Sequence, residues 1–167
     1  THRGCIPTKA LLACSGRYEE LRKLGRMGVR VKEPAFDFGA MKRHQEQIVK
    51  ISAMGARKSL ADAGCALKEG EGRILGAGEV EWIAPEGSRS QFSARSVVIA
   101  WGSEPALLPG VSLSERILTS DGLLSLSALP ASLLIIGGSV IGVEFATLYA
   151  ELGVRVSLLE MLDRLLP

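Results

Sequence analysis

Histidine and cysteine are scarce in this sequence, with two His and three Cys among 167 residues. Cys5, Cys14 and Cys65 form neither a CxxC pair nor a zinc-like spacing, and their odd number argues against a secreted scaffold held by disulfides. Neither His2 nor His44 lies in a metal-ligating or base-nucleophile pattern, so both read as surface or capping residues and no metal is expected. Cys14 and Cys65 read as small buried hydrophobes.

Long apolar runs are missing as well. No stretch reaches the roughly 18 to 20 uncharged residues needed to cross a bilayer, and the amino end has no apolar secretion core. No membrane partner is therefore expected, and the location reads as cytoplasmic. An excess of one charge is also absent: 20 Lys and Arg against 18 Asp and Glu leave +2. The basic residues are spread along the chain, which speaks against nucleic acid as a partner. An initiating methionine is lacking too. With Thr1 at one end and Pro167 just after a strand-like segment at the other, the sequence reads as a piece of a longer chain.

What is present is the composition of an ordinary α/β protein: 47% hydrophobic residues, 23% charged residues and 19 glycines. The length suits one domain, or one domain with part of another. Residues 7–25 favour a helix with Pro7 at an early position and Leu11, Leu12, Tyr18, Leu21 and Leu24 available for burial. A second, long helix is expected from an Asp37 N-cap to Gly64, with Phe38, Met41, Ile48 and Ile51 on its apolar face. Short strands at 66–68, 79–83, 91–94 and 96–100 suggest an antiparallel meander leading into a buried strand, with Trp82 in its core or on a hairpin surface. Residues 105–130 read as a connection holding one short helix.

The carboxy-terminal part has the clearest pattern. Leu133, Leu134, Ile135 and Ile136 suit a parallel strand buried on both faces. The turn Gly137-Gly138-Ser139-Val140-Ile141-Gly142 follows, then a helix over 143–152 closed by Gly153, then a strand over 154–160. Strand, glycine turn, helix and acid-terminated strand form a βαβ unit of the dinucleotide-binding type. Gly137 permits the tight turn, and Gly142 lets the helix approach the strand. The helix N-terminus offers N–H groups to phosphates. Ser139 replaces the second glycine of the pattern, crowding a pyrophosphate while offering it a donor. Glu160, 18 residues after Gly142, is placed to accept ribose hydroxyls and to repel a 2′-phosphate, favouring NAD over NADP.

At the amino end, Cys5 is expected at a helix N-terminus, where the positive end of the dipole favours thiolate. Pro7 fixes the turn, and Lys9 adds positive potential one helical turn on. The segment Arg3-Gly4-Cys5-Ile6-Pro7-Thr8-Lys9-Ala10-Leu11-Leu12 resembles the second half of the redox signature of flavin- and NAD-dependent disulfide oxidoreductases. Dihydrolipoyl dehydrogenase is the most similar of these, with glutathione and mercuric reductases as relatives. The likeness continues through Gly72, through Ala100-Trp101-Gly102-Ser103-Glu104-Pro105 and Thr119-Ser120-Asp121, and ends with the dinucleotide unit and residues 160–167. It departs at His2, where Asn is usual, and at Trp101, where a small Thr is usual.

The resemblance implies a partial FAD-binding domain over 1–110, made of helices and an antiparallel meander and lacking its amino-terminal βαβ. A connection follows over 111–130, then the first βαβ of a Rossmann-like NAD-binding domain over 131–167. It implies that Cys5 is the flavin-side half of a redox disulfide whose other cysteine lies five residues earlier, before Thr1. Lys9, Gly72, Trp101, Gly102 and Ser103 would then contact FAD. Gly137, Gly138, Ser139, Val140, Ile141, Gly142, Val143, Glu144 and Glu160 would hold NAD, with Glu144 near the flavin-nicotinamide junction and paired with Lys9. The complete enzyme would be a homodimer oxidising dihydrolipoamide or a lipoyl protein, its catalytic His-Glu pair supplied by a further domain. The isolated segment is expected to be inactive. Two alternatives stay open: a non-catalytic nucleotide-binding or interaction remnant, and a mercuric or glutathione reductase-like relative.

Overall fold

The structure is a computed structural model that describes residues 2–166; Thr1 and Pro167, the two ends of the sequence pattern, lie outside the described residues. Its elements in chain order are α1 (Cys5–Lys23), a 3-10 turn (Leu24–Met27), α2 (Phe38–Asp62), β1 (Glu71–Gly76), β2 (Glu79–Ile83), β3 (Arg89–Ser93), α3 (Ser120–Leu124), β4 (Ser132–Ile136), α4 (Val140–Glu151) and β5 (Arg155–Leu159). The chain forms two compact units, Thr1–Met54 with Leu107–Pro167, and Gly55–Ala106, the break falling inside α2. The fold is the expected α/β combination of helices, an antiparallel meander and a parallel βαβ.

In the first unit, β4 and β5 pair in parallel, with Leu133 opposite Val156 and Ile135 opposite Leu158. Helix α4 bridges them. Its end is fixed by a glycine: Gly153 has φ +85, its N–H reaches the Ala150 carbonyl at 3.0 Å, and the Val154 N–H reaches Tyr149 at 3.0 Å. These two bonds satisfy helix-end carbonyls and return the chain directly into β5.

The core of this unit gathers Leu11 from α1, Met41 from α2, Leu123 and Leu124 from α3, and Phe145, Leu148, Tyr149 and Leu152 from α4. Tyr149 is buried, and burial pushes its phenol up to about 12. It stays neutral at physiological pH and its O–H donates to the Leu123 carbonyl at 3.2 Å. A buried phenol needs such a partner, and here the partner ties α3 to α4.

Asp37 caps α2 as expected, its carboxylate accepting the Ala40 N–H at 3.0 Å. The buried stripe of that helix is Met41, Gln45 and Val49, an i, i+4, i+8 row, while Ile51 is exposed. Leu21, expected to be buried in α1, is also exposed. Both corrections have one cause: the fully buried positions end at Ser15 in α1 and at Val49 in α2, and apolar residues beyond them are covered in part or not at all.

The second unit is the meander β1-β2-β3, with Gly72 opposite Trp82 and Val80 opposite Phe92. Its first strand is Glu71–Gly76, not 66–68. Strand 79–83 falls where the pattern put it, and Lys68 instead stacks its ammonium 4.5 Å over the Trp82 ring. Residues 96–100 are not a strand, and Val98 and Ile99 are exposed. An apolar run becomes a strand only when a neighbouring chain completes its ladder, and none of the described residues does so. The same reason corrects β4, where Leu134 and Ile136 face solvent: α4 covers one face of the two-stranded sheet, and among the described residues none covers the other.

Candidate functional site

Helix α1 begins at Cys5, and Gly4 before it has φ +95, a conformation that costs a side-chain-bearing residue strain. The Gly4 carbonyl accepts both the Thr8 N–H, at 3.1 Å, and the Thr8 hydroxyl, at 2.7 Å. Pro7 and Thr8 are buried and anchor this turn, while the Cys5 thiol is exposed. On the approach to the turn, Arg3 makes an ion pair with Asp121 of α3, its Nε lying 3.0 Å from the carboxylate.

Lys9, one turn along α1, pairs its ammonium with the Glu144 carboxylate on α4. Further along the same two helices, the buried Ser15 hydroxyl donates to Glu151 at 2.5 Å. The two contacts advance together along both helices, so α1 and α4 run in the same direction with Leu11 buried between them. That brings the N-terminus bearing Cys5 and the N-terminus following the glycine turn to the same end of the pair.

At the turn itself, Gly137 has φ +106 and extends the ladder by donating its N–H to the Leu159 carbonyl at 2.8 Å. Gly138 is buried, and its N–H donates to Glu160 Oε2 at 2.6 Å. Ser139 is the N-cap of α4 in extended conformation, and the first intrahelical bond runs from the Val143 N–H to its carbonyl at 3.0 Å. The N–H groups of Val140, Ile141 and Gly142 precede that bond and have no intrahelical acceptor, which leaves them for an anion. Val140 and Ile141 are exposed.

The requirement for glycine is strict at one position. A Cβ on Gly142 would stand 1.9 Å from the Gly137 carbonyl oxygen and 3.4 Å from Ile135 Cγ2. Close approach of helix to turn is thus real, as the pattern implied. At Gly138 the constraint comes from a feature with no signal in the motif: residues after β5 fold back over the turn, the Leu166 N–H bonding the Gly138 carbonyl at 2.9 Å and Leu165 packing where a Cβ would lie.

Glu160 ends β5 beside this turn. Its Oε1 accepts the Leu162 N–H at 2.9 Å while Oε2 takes the Gly138 N–H, and these two amides hold its carboxyl below the usual carboxylate range. A carboxylate can accept about four hydrogen bonds. The two amides leave capacity for the hydroxyls of a ribose. Because the ionised form is favoured in the folded state, its contribution is present above the ordinary carboxylate range and lost as pH falls through the lowered folded value. Glu160→Gln is therefore expected to lower the melting temperature at neutral pH and to match the unsubstituted protein in acid; an equal difference at every pH would disprove this account.

The remaining expected site residues lie in the Gly55–Ala106 unit. Gly72 sits in β1 opposite Trp82, Gly102 has φ +84, Ser103 is exposed, and Trp101 exposes 74% of its surface. Cys14 lies against the core, where burial pushes its thiol up, but Cys65 is exposed instead of buried, following the glycine cap that closes α2, where its own N–H bonds the Leu60 carbonyl at 2.9 Å. His2 and His44 are exposed, as expected. No group of His, Cys, Asp or Glu among the described residues can hold a metal ion, and no described helix is long and apolar enough to cross a membrane. Sequence reasoning passed over the Arg3–Asp121 pair, whose partners are 118 residues apart with no local signal. It also passed over Ser15 and Glu151, which polar residues on otherwise packed helix faces did signal.

Strand, glycine turn, helix and carboxylate-terminated strand define a dinucleotide-binding protein, here one whose post-turn helix is bolted to a cysteine-headed helix. A sequence profile for pyridine nucleotide-disulphide oxidoreductases matches residues 1–167, and the chain belongs to that family. It is 36% identical over 165 residues to a dihydrolipoyl dehydrogenase of Chlamydia pneumoniae, a match covering 99% of this chain and 35% of the relative. Against dihydrolipoyl dehydrogenase 3 of Pseudomonas aeruginosa the identity is 37% over 167 residues, with 98% and 36% covered. Among solved structures, LpdA of Mycobacterium tuberculosis aligns with a TM-score of 0.86 at 28% identity, covering 99% of this chain and 37% of that one. The HOCl-induced flavoprotein disulfide reductase RclA of Escherichia coli aligns with a TM-score of 0.76 at 25% identity, covering 98% and 34%. The chain thus spans about a third of the length of the relatives it matches. The resemblance first seen around Cys5 holds along the whole sequence.

Proposed function

We propose that this chain is the central part of an FAD- and NAD-dependent disulfide oxidoreductase that oxidises dihydrolipoamide or a lipoyl protein. One observation carries the reading: the Lys9–Glu144 pair joins the helix headed by Cys5 to the helix headed by the glycine turn, so thiol and nucleotide chemistry share one end of a packed helix pair. In this reading residues 1–110 are part of the FAD-binding domain, 111–130 the connection, and 131–167 the opening of the NAD-binding domain. The complete enzyme is a homodimer.

The residues fit a dinucleotide. The turn is tight at Gly137, the α4 N–H groups are unspent, and a carboxylate stands at the end of β5. Gly137, Gly138, Ser139, Val140, Ile141, Gly142, Val143 and Glu144 bind and orient NAD, and Glu160 holds its ribose and excludes a 2′-phosphate by charge. Lys9, Gly72, Trp101, Gly102 and Ser103 contact FAD. When bound, these cofactors supply the two-electron chemistry between a dithiol and nicotinamide. Cys5 is the flavin-side thiol of the redox pair, exposed at the N-terminus of α1. Lys9 fixes charge between the two sites by holding Glu144.

The test uses the 167-residue chain and the complete protein side by side. The complete protein is expected to bind flavin and reduce NAD with dihydrolipoamide, and the 167-residue chain to show no turnover. NADH formation from dihydrolipoamide by the short chain would overturn its inactivity. Saturable NAD binding with no flavin in the complete protein would favour a non-catalytic nucleotide-binding module instead.

A further inference from the structure

The cations of this sequence look dispersed, yet five of them, Arg22, Lys23, Arg26, Arg30 and Lys32, fall within residues 22–32, where there is no acid. The fold concentrates them. Helix α1 ends at Lys23, the 3-10 turn closes at Gly28 with φ +82, and the chain then doubles back. Between the end of α1 and the returning segment lies an open groove of about 660 Å³, lined by Tyr18, Leu21, Arg22, Val29, Val31 and Pro34 among others.

Its lining is largely apolar, with Arg22, Arg30 and Glu33 as the charged members. Leu21, Val29 and Val31 expose 42%, 50% and 40% of their surfaces, and the Tyr18 ring is held from behind by an edge contact with Phe36 at 4.8 Å. Its surroundings are positive. Arg22 and Lys23 both pair with Glu19, but Arg26, Arg30 and Lys32 take part in no ion pair among the described residues. Glu33 is the one acid lining the groove, held at φ +28. A largely apolar floor with Arg30 in its lining, and with Arg26 and Lys32 next in sequence to the lining residues Gly25 and Val31, suits a ligand that brings both apolar side chains and carboxylates.

We infer that this groove docks an extended acidic segment of a partner protein, one in which Asp or Glu alternates with aliphatic side chains. The carboxylates meet Arg26, Arg30 and Lys32, and the aliphatic groups lie against Leu21, Val29 and Val31. Nucleic acid is the poorer fit, because base stacking needs open aromatic faces and Tyr18, the one aromatic ring lining the groove among the described residues, is already packed against Phe36. A lipid surface is also the poorer fit, since a concave floor cannot enter the interface as a protruding apolar face does. The inference stands on this groove alone and does not depend on the redox reading.

The test is fluorescence anisotropy on the full chain with a labelled ten-residue peptide alternating Glu and Val. Saturable binding is expected at low salt, weakening several-fold at physiological ionic strength as screening grows. Joint replacement of Arg26, Arg30 and Lys32 by Glu should weaken it tenfold or more, and Val31→Asp should weaken it with all cations retained. A far-UV spectrum matching the parent shows that each variant is folded. A peptide alternating Lys and Val should not bind. The proposal is overturned if the acidic peptide fails to saturate, if both folded variants bind it as the parent does, or if a single-stranded oligonucleotide or phosphatidylserine vesicles bind more tightly through the same three cations.

Discussion

Gly142→Ala is expected to cost about 3 kcal/mol or more of stability, the upper range for forcing atoms into a packed site. The added methyl would stand 1.9 Å from the Gly137 carbonyl oxygen. That oxygen belongs to backbone already fixed by the ladder bond from Gly137 to Leu159, so it cannot swing aside as the end of a long side chain would. Either α4 moves away from the turn or β4 leaves its register. Both outcomes remove the geometry that presents helix N–H groups to a pyrophosphate, so dinucleotide affinity should fall with stability. Ser139→Gly is the contrasting variant. It completes the glycine pattern, yet Ser139 is an exposed N-cap whose side chain makes no capping bond, and exchange with glycine at such a site costs only a few tenths of a kcal/mol. Urea denaturation of the two variants checks the ordering; similar midpoints for both would refute it.

Leu11→Ala should cost roughly 2 to 5 kcal/mol, the range for removing a buried leucine side chain from a core that relaxes incompletely. Leu11 is 2% exposed at the contact between α1 and the core elements around α4. The neighbouring Lys9–Glu144 pair is far more open, with the lysine side chain 56% exposed. Exposed ion pairs contribute roughly 0 to 1 kcal/mol, so Lys9→Met should barely move the denaturation midpoint. Packing therefore holds the cysteine helix on the dinucleotide helix, while the ion pair sets the charge between them. If Lys9→Met destabilises as much as Leu11→Ala, that division of roles is wrong.

Much of this architecture was legible in the sequence wherever a local interaction decides structure. Asp37 announced the start of α2, Gly153 the end of α4, and the run from Leu133 to Glu160 a strand, turn, helix and strand in that order. The turn preferences of glycine and the capping ability of Asp act within four residues, so their signals survive without a fold. The pattern misled where burial was assumed. Residues 96–100, Leu134, Ile136, Ile51 and Leu21 carry the apolar character of a core but are exposed, because apolar periodicity records which face seeks a partner and not whether one is there.

The amino-acid sequence by itself determined which thiol stands at the head of α1, the position of the acid that ends β5 and the need for glycine in the turn. Tertiary structure alone decided that α1 and α4 lie side by side and point the same way, so that Lys9 meets Glu144, Arg3 meets Asp121, and Leu165 closes over Gly138. These contacts join residues far apart in the chain. Their free energy comes from burying Leu11, Leu148 and Tyr149 together, and no local rule of spacing or propensity encodes which distant surfaces that burial will bring into register.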